Sequence, residues 1–249
     1  MLLHLTKLEY ANIALILAII VILYRYIESY WSYKISKPYL WTQGINNKNV
    51  TKALSKLEYN YNDKVRFYNF WFQIERIKKE NIFGDFVELG VYQGKTAKII
   101  HEMAPERDFY LFDTFNGFSK TDLELEDKEV DDNTAKLFSN SSLEKVKLYL
   151  EEKSENIIFC PGYFPESTKG IEDCNFAFVH LDADLYAPTL AGLKYFFPKL
   201  SPGGVIMIHD YNHNWEGVKK AINEFMPTIA ESLIELPDLH GSVMIIKNK

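Results

Sequence analysis

Hydrophobic and polar positions divide this chain into three zones. From Tyr10 to Tyr24 no residue is charged, and Asn12 is the one strongly polar position. The run is apolar all round rather than on one stripe, which predicts a helix with no polar face. From Asp63 to Lys79 the pattern changes to helical spacing, with Val65, Phe67, Tyr68, Phe70, Trp71, Ile74 and Ile77 recurring as an amphipathic face. Beyond Phe83 short apolar runs alternate with helical segments. Strands are expected at Phe86–Leu89, Phe109–Phe112, Ile157–Phe159, Phe176–Leu181 and Val205–Ile208, with two more near Leu233–Leu236 and Val243–Ile246. Helices are expected at Lys95–Met103, Leu143–Leu150, Leu190–Phe197 and Trp215–Phe225.

Most of these strands lack period-two alternation, which suits strands covered on both faces by helices. Strands alternating with helices predict an open, mostly parallel α/β sheet. No clear helix separates the last two strands, so they are expected to form an antiparallel terminal hairpin. Three regions follow: residues 1–35 as a hydrophobic helix and its flank, 36–82 as a linker with short helical turns and an amphipathic cap helix, and 83–249 as the α/β domain.

Composition narrows the function classes. The 249 residues are 47% hydrophobic and 25% charged, an ordinary globular balance. A net charge of −6 lacks the basic footprint of a nucleic-acid binder. Two cysteines, Cys160 and Cys174, make neither a disulfide framework nor a zinc pattern and fit a reducing compartment. The N-terminal run is short for a span of about 20 residues. Arg25 can snorkel to lengthen it, and Tyr10, Tyr24, Tyr26, Tyr30, Trp31 and Tyr33 sit where an interfacial aromatic belt would lie. The reading is a single membrane anchor. Arg25, Lys34 and Lys37 follow the run and Lys7 precedes it, which places the following domain in the cytoplasm.

Ligands of open α/β sheets bind beyond the carboxyl ends of the strands. The first strand runs into Gly90-Val91-Tyr92-Gln93-Gly94, where two glycines allow a tight turn and close backbone approach at a helix N-terminus. This is neither the Gly-x-Gly-x-x-Gly fingerprint nor a phosphate loop. The second strand ends in Asp113, a carboxylate suited to ribose hydroxyls or to an Asx turn. The fourth ends in Asp182-Ala183-Asp184 and the fifth in His209-Asp210. Asp182, Asp184 and Asp210 converge as oxygen donors for Mg²⁺, Ca²⁺ or Mn²⁺, or one of them serves as a general base. Between Asp122 and Asp132 stand seven acids and one lysine, a solvated loop or a lid over the acceptor pocket.

Residues 84–226 resemble the macrocin O-methyltransferase (TylF-type) branch of class I S-adenosylmethionine-dependent methyltransferases. The matching pieces are GDFVELGV at 84–91, LFDTFNGF at 111–118, LDADLY at 181–186, FPKLSPGGV at 197–205 and Asp210-Tyr211. The resemblance implies a Rossmann-like, seven-stranded, mostly parallel sheet with a reversed last strand. It implies S-adenosyl-L-methionine bound by Glu88, Gly90, Gly94, Asp113, Gly162, Tyr163 and Asp182. It also implies a divalent metal, Mg²⁺ or Mn²⁺, at Asp182, His209 and Asp210, with Asp184 as base; His213 is an alternative base. The family usually has Asp where this chain has His209, and imidazole is a poor Mg²⁺ ligand. So either the metal changes, or His209 stands outside the coordination shell, or metal dependence is lost. The expected activity is O-methylation of a sugar hydroxyl on a glycan, glycolipid or glycosylated metabolite, with a small-molecule or glycan acceptor as partner, no nucleic acid, and a homo-oligomer allowed. A degenerate non-catalytic binding module and a nucleotide-cofactor oxidoreductase are the competing readings.

Overall fold

The computed structural model describes residues 6–31, 37–126, 138–150, 155–213 and 216–249. The chain divides into two compact units, Met1–Thr42 and Gln43–Lys249.

The first unit is dominated by helix α1, Lys7–Trp31. Thr6 and Glu9 cap it reciprocally: the Thr6 N–H donates to Glu9 Oε2 at 2.6 Å and the Glu9 N–H to Thr6 Oγ1 at 3.3 Å. The stretch Lys7–Glu28, 22 residues, is long and apolar enough to cross a membrane, and none of it is buried in the protein. At 1.5 Å per residue it reaches about 33 Å, against a hydrocarbon thickness of about 30 Å. The side chains of Tyr30, Trp31 and Tyr33 lie outside the described residues.

The second unit is a seven-stranded sheet. Its strands are β1 (Asp85–Leu89), β2 (Phe109–Asp113), β3 (Ile157–Pro161), β4 (Phe176–Leu181), β5 (Leu200–Ile208), β6 (Ile234–Glu235) and β7 (Val243–Ile246). They lie in the order β3-β2-β1-β4-β5-β7-β6. The first five pair in parallel, while β7 runs antiparallel to β5 and to β6. The reversed last strand and the terminal hairpin are therefore as expected. The order in which strands are added reverses between β1 and β4, which makes the carboxyl ends of these neighbours the crevice of the fold.

Both sheet faces are covered. On one face, α8 (Tyr186–Lys199) and α9 (Glu216–Phe225) bury Leu193, Phe196, Val218, Ile222 and Phe225 against Val87, Leu89, Phe112, Val179 and Leu181. On the other, α4 (Lys64–Lys79) lays Phe70 edge-on to Phe178 and His180, with ring centroids 6.0 and 5.0 Å away. Asp63 caps α4, accepting the Arg66 N–H at 2.9 Å. Residues 36–60, read as a linker, carry two helices, α2 (Tyr39–Asn46) and α3 (Lys52–Asn60). Thr51 caps the latter through Leu54, whose side chain is buried along with that of Glu58. The remaining helices of this unit are α5 (Lys95–Met103), α6 (Lys120–Leu123) and α7 (Leu143–Leu150).

Candidate active site

A cavity of about 650 Å³ opens beyond the carboxyl ends of β1, β2 and β4. Leu89, Gly90 and Tyr92 form its floor at β1, Asp113 and Thr114 its side at β2, and Asp182, Ala183 and Asp184 its side at β4. Gly162 and Tyr163 approach from the end of β3, and Phe118, Asp122 and Phe138 from the segments between β2 and β3. Four carboxylates, Asp113, Asp122, Asp182 and Asp184, line it, and among the described residues no Lys or Arg does. Phe118 and Phe138 lie 4.7 Å apart by ring centroid, and Phe138 and Tyr92 5.2 Å, giving one wall a run of aromatic faces.

The backbone at the switch point is shaped by close packing. Gly90 has φ +90°, and a Cβ there would lie 2.0 Å from the carbonyl oxygen of Asp182, so a side chain is excluded where β1 passes β4. Gly94 caps α5 and packs toward Val146 rather than lining the cavity. Asp113 Oδ2 accepts the N–H groups of Val91 and Tyr92 at 2.7 and 2.9 Å, and its Oδ1 accepts Phe115 N–H at 2.7 Å. It therefore braces the β1 loop and its own turn at once. Tyr163 donates its hydroxyl to Asp122 Oδ1 at 2.6 Å, and burial raises the Asp122 carboxyl. Glu126 Oε1 accepts the Tyr186 N–H at the start of α8 at 2.6 Å. Of the acidic run, Asp127, Glu129, Asp131 and Asp132 lie outside the described residues.

Glu88 is elsewhere. It is 0% exposed on the α4 face of β1, and its Oε1 lies 2.9 Å from His180 Nδ1. Burial raises the Glu88 carboxyl well above its usual value and lowers His180 to about 3, so the two form an internal acid–imidazole pair with one proton. Their other heteroatoms, Glu88 Oε2 and His180 Nε2, have no partner. His213 also lies off the main cavity, in a separate depression with Glu216, Lys219 and Lys220, its ring 4.4 Å from that of His240.

Behind Asp182 the charges interlock. His209 Nδ1 lies 3.0 Å from Asp182 Oδ1 and 3.0 Å from Asp210 Oδ2, and its Nε2 lies 3.1 Å from the carbonyl oxygen of Leu239. Arg66 Nη1 stands 3.6 Å from Asp182 Oδ2. Burial pulls His209 down, yet the Asp182 charge and the hydrogen bonds to Asp182 and Asp210 outweigh it and push the imidazole up to about 10. Burial likewise favours a protonated Asp182, but His209 and Arg66 hold it well below the usual carboxylate range. Asp184 goes the other way. Burial first, then the charges of Asp182 and Asp210, raise it well above its usual value, and it hydrogen-bonds Asp210. Both Asp184 and Asp210 have positive φ, 61° each, a strained backbone for non-glycine residues of the kind concentrated at working sites.

The macrocin O-methyltransferase (TylF) family model matches residues 34–237. The chain belongs to that family. Three relatives of this TylF-type chain are O-methyltransferases by name. An 8-demethyl-8-(2,3-dimethoxy-alpha-L-rhamnosyl)-tetracenomycin-C 4'-O-methyltransferase of Streptomyces olivaceus is 27% identical over 59% of this chain and 60% of its own. A mycinamicin III 3''-O-methyltransferase of Micromonospora griseorubida is 23% identical over 68% and 66%. A demethyldecarbamoylnovobiocin O-methyltransferase of Streptomyces niveus is 26% identical over 66% of each. The matches thus span somewhat under two thirds of each relative. Among solved structures, the O-methyltransferase NovP superposes with a TM-score of 0.63 at 25% identity, covering 75% of this chain and 81% of that one. The calicheamicin methyltransferase CalS11 has a TM-score of 0.57 at 18% identity, covering 86% and 95%, and shares the fold.

The geometry tests the two ligands that the TylF resemblance implies. S-adenosylmethionine carries an ammonium, a sulfonium and one carboxylate. A cavity that among the described residues has four carboxylates, no Lys or Arg and an aromatic wall fits such a ligand. The metal set fits less well. Among the described residues two groups bring ligand atoms within 4.8 Å of one another, Asp182 with Asp184 and Asp210, and His209 with Asp210 and His240, but both ring nitrogens of His209 already face oxygen acceptors. His209 and Asp210 also lie outside the cavity lining, whereas Asp182 and Asp184 are part of it. Arg66, His180 and His240 were not singled out from sequence. Arg66 is a half-buried cation at the third position of an aromatic helix, and an Asp63-x-x-Arg66 pair at a helix start was the one signal it left.

Proposed function

We propose that this protein is an S-adenosylmethionine-dependent O-methyltransferase acting on a sugar hydroxyl of a glycosylated acceptor, with residues 7–28 as a membrane anchor. The observation that carries the reading is the acidic, aromatic cavity at the switch point of a TylF-family sheet. The same lining disfavours a dinucleotide, whose pyrophosphate would meet four carboxylates and, among the described residues, no Lys or Arg.

When bound, S-adenosylmethionine supplies an electrophilic methyl group on a positively charged sulfur. The chain's residues do the rest. The Gly90 turn lets the backbone approach the ligand closely, and Asp113 holds that turn through Val91 and Tyr92. Asp113 Oδ1 keeps one acceptor position free of the three backbone bonds, enough for a ribose hydroxyl. Tyr163 and Asp122 close the side of the cavity toward β3. Asp184 lines the cavity with a raised pKa, which makes it a stronger base than an ordinary carboxylate and suits it to take the proton from an acceptor hydroxyl. The rhamnosyl group in the name of the tetracenomycin relative supports a sugar-bearing acceptor. The anchor supports an acceptor met at a membrane surface.

Calorimetric titration of the full chain in detergent with S-adenosylmethionine and, separately, with NAD⁺ tests this reading. Saturable binding of the first alone is expected; binding of NAD⁺ alone would replace the reading with the oxidoreductase one. For the anchor, pelleting with membranes after alkaline carbonate washing is expected, and release into the wash would remove it from the proposal.

A further inference from the structure

We infer that the His209 ring, with both nitrogens turned to oxygens, fills the gap between Asp182 and Asp210 where this fold would otherwise hold a divalent metal, so that the site binds no divalent ion. The inference deepens the methyltransferase reading and rests on it for the chemistry, while its geometry stands independently.

The argument is one of donors and acceptors. The carbonyl oxygen of Leu239 has no proton to give, so His209 Nε2, 3.1 Å away, must carry one. His209 Nδ1 faces Asp182 Oδ1 at 3.0 Å, and Arg66 Nη1 stands at an ion-pair distance of 3.6 Å from Asp182 Oδ2. The same Nδ1 is 3.0 Å from Asp210 Oδ2, so it faces two carboxylates. A ring with both nitrogens turned to oxygens presents no lone pair to a metal. The carboxylate oxygens that face each other across this gap, Asp182 Oδ1 and Asp210 Oδ2, are spanned by the imidazole itself.

Position points the same way. The Arg66 guanidinium stands 3.6 Å from Asp182 Oδ2, a fixed cation beside an oxygen that a dication would need. The ring is also anchored from behind. The Asp63 Oδ2 that accepts Leu239 N–H at 2.9 Å belongs to the residue that caps α4, and α4 carries Arg66. The ring and the guanidinium are thus set by one short segment of structure. The consequence for the acceptor is specific. No metal is available to chelate two adjacent hydroxyls, so an acceptor hydroxyl is oriented by hydrogen bonds to Asp182 and Asp184, and a lone hydroxyl suffices.

Titration of the metal-stripped full chain with Mn²⁺, read by the electron paramagnetic resonance signal of the free ion, tests this. The wild type is expected to take up no Mn²⁺ at this site at millimolar concentration, and any uptake is expected to survive Asp182→Asn. His209→Asp removes the ring, adds a carboxylate, and is expected to bind Mn²⁺ at least ~10-fold more tightly than the wild type, a difference of about 1.4 kcal/mol. Saturable micromolar uptake by the wild type that is lost in Asp182→Asn would overturn the inference. S-adenosylmethionine binding measured on the same samples reports separately on the methyltransferase reading, which stands or falls without reference to Mn²⁺.

Discussion

The carboxylate of Asp113 at the end of β2 holds the backbone of Val91 beyond β1, 2.7 Å from Oδ2 to the amide nitrogen. Adjacent parallel strands thus share one turn: the carboxylate that ends β2 also fixes the loop that follows β1. Asp113→Ala leaves the amides of Val91, Tyr92 and Phe115 without their acceptor. A loss of roughly 1–3 kcal/mol in unfolding free energy is expected, since uncompensated amides cost about that much each when desolvated and water replaces part of the loss here. S-adenosylmethionine affinity is expected to fall at least ~10-fold. Asp113→Asn keeps one oxygen acceptor and should lie between the two. Urea unfolding and calorimetry check both, and a variant with native stability and native affinity would refute the bracing role.

Gly90 and Gly170 separate two effects that are usually confounded. Both have left-handed backbone, φ +90° and +94°, but a Cβ at Gly170 meets nothing within 4 Å, whereas one at Gly90 meets the Asp182 carbonyl oxygen at 2.0 Å. Gly170→Ala therefore costs backbone strain alone, about 1 kcal/mol. Gly90→Ala must in addition push β1 from β4 at the switch point, and a loss exceeding ~3 kcal/mol or failure to fold is expected. Equal thermal shifts for the two variants would contradict this.

Much of this arrangement was legible in the sequence, and the rest was hidden for identifiable reasons. Strands β1, β2 and β4 are covered on both faces, so they read as continuous apolar runs, and the carboxylates that end them read as site residues. The start of β5 was not legible because Pro202-Gly203-Gly204 has the composition of a turn. In the structure Gly203 N–H donates to the Lys247 carbonyl and Lys247 N–H to that of Gly204, so the strand continues through them. Helix α8 begins at Tyr186 rather than Leu190 because Pro188 falls in its first turn, where no N–H is needed. His180 was invisible inside a strand whose other residues are apolar, and so was its pairing with Glu88, which reversed the reading of Glu88 as a cofactor contact. Arg66 was masked by the aromatic period around it.

The Glu88–His180 pair sets a pH dependence whose sign follows from proton counting. Folded, the pair holds one proton, because burial raises Glu88 well above 4.5 and lowers His180 from 6.5 to about 3. Unfolded, it also holds one proton between about 4.5 and 6.5, with Glu88 ionised and His180 charged. Stability is therefore flat in that window on account of this pair. Above 6.5 the unfolded chain holds one proton fewer, so stability falls as pH rises; below 4.5 it holds one more, so stability falls as pH drops. Glu88→Gln removes the first titration, and its stability relative to wild type is expected to improve steadily above pH 6.5. Paired denaturation curves from pH 4 to 9 show this as a difference, and a difference independent of pH would place the proton elsewhere.

Asp184 and His213 were both candidates for the base, and the structure places them in different depressions. Asp184 lines the main cavity with a raised pKa; His213 lies with Lys219 and Lys220 outside it. Asp184→Asn keeps the side chain's size and its ability to hydrogen-bond Asp210 while removing the base. Its methyl-transfer rate constant is expected to drop by about 10²–10⁴, the usual range for losing a positioned general base. S-adenosylmethionine affinity should stay close to that of the wild type, since no bond that shapes the Gly90 turn is lost. His213→Ala should leave the rate near that of the wild type. Single-turnover methyl transfer to a glycosylated acceptor, with cofactor binding measured alongside, separates the two. A large rate loss in His213→Ala with Asp184→Asn unaffected would move the base to the α9 side and require the acceptor to enter from there.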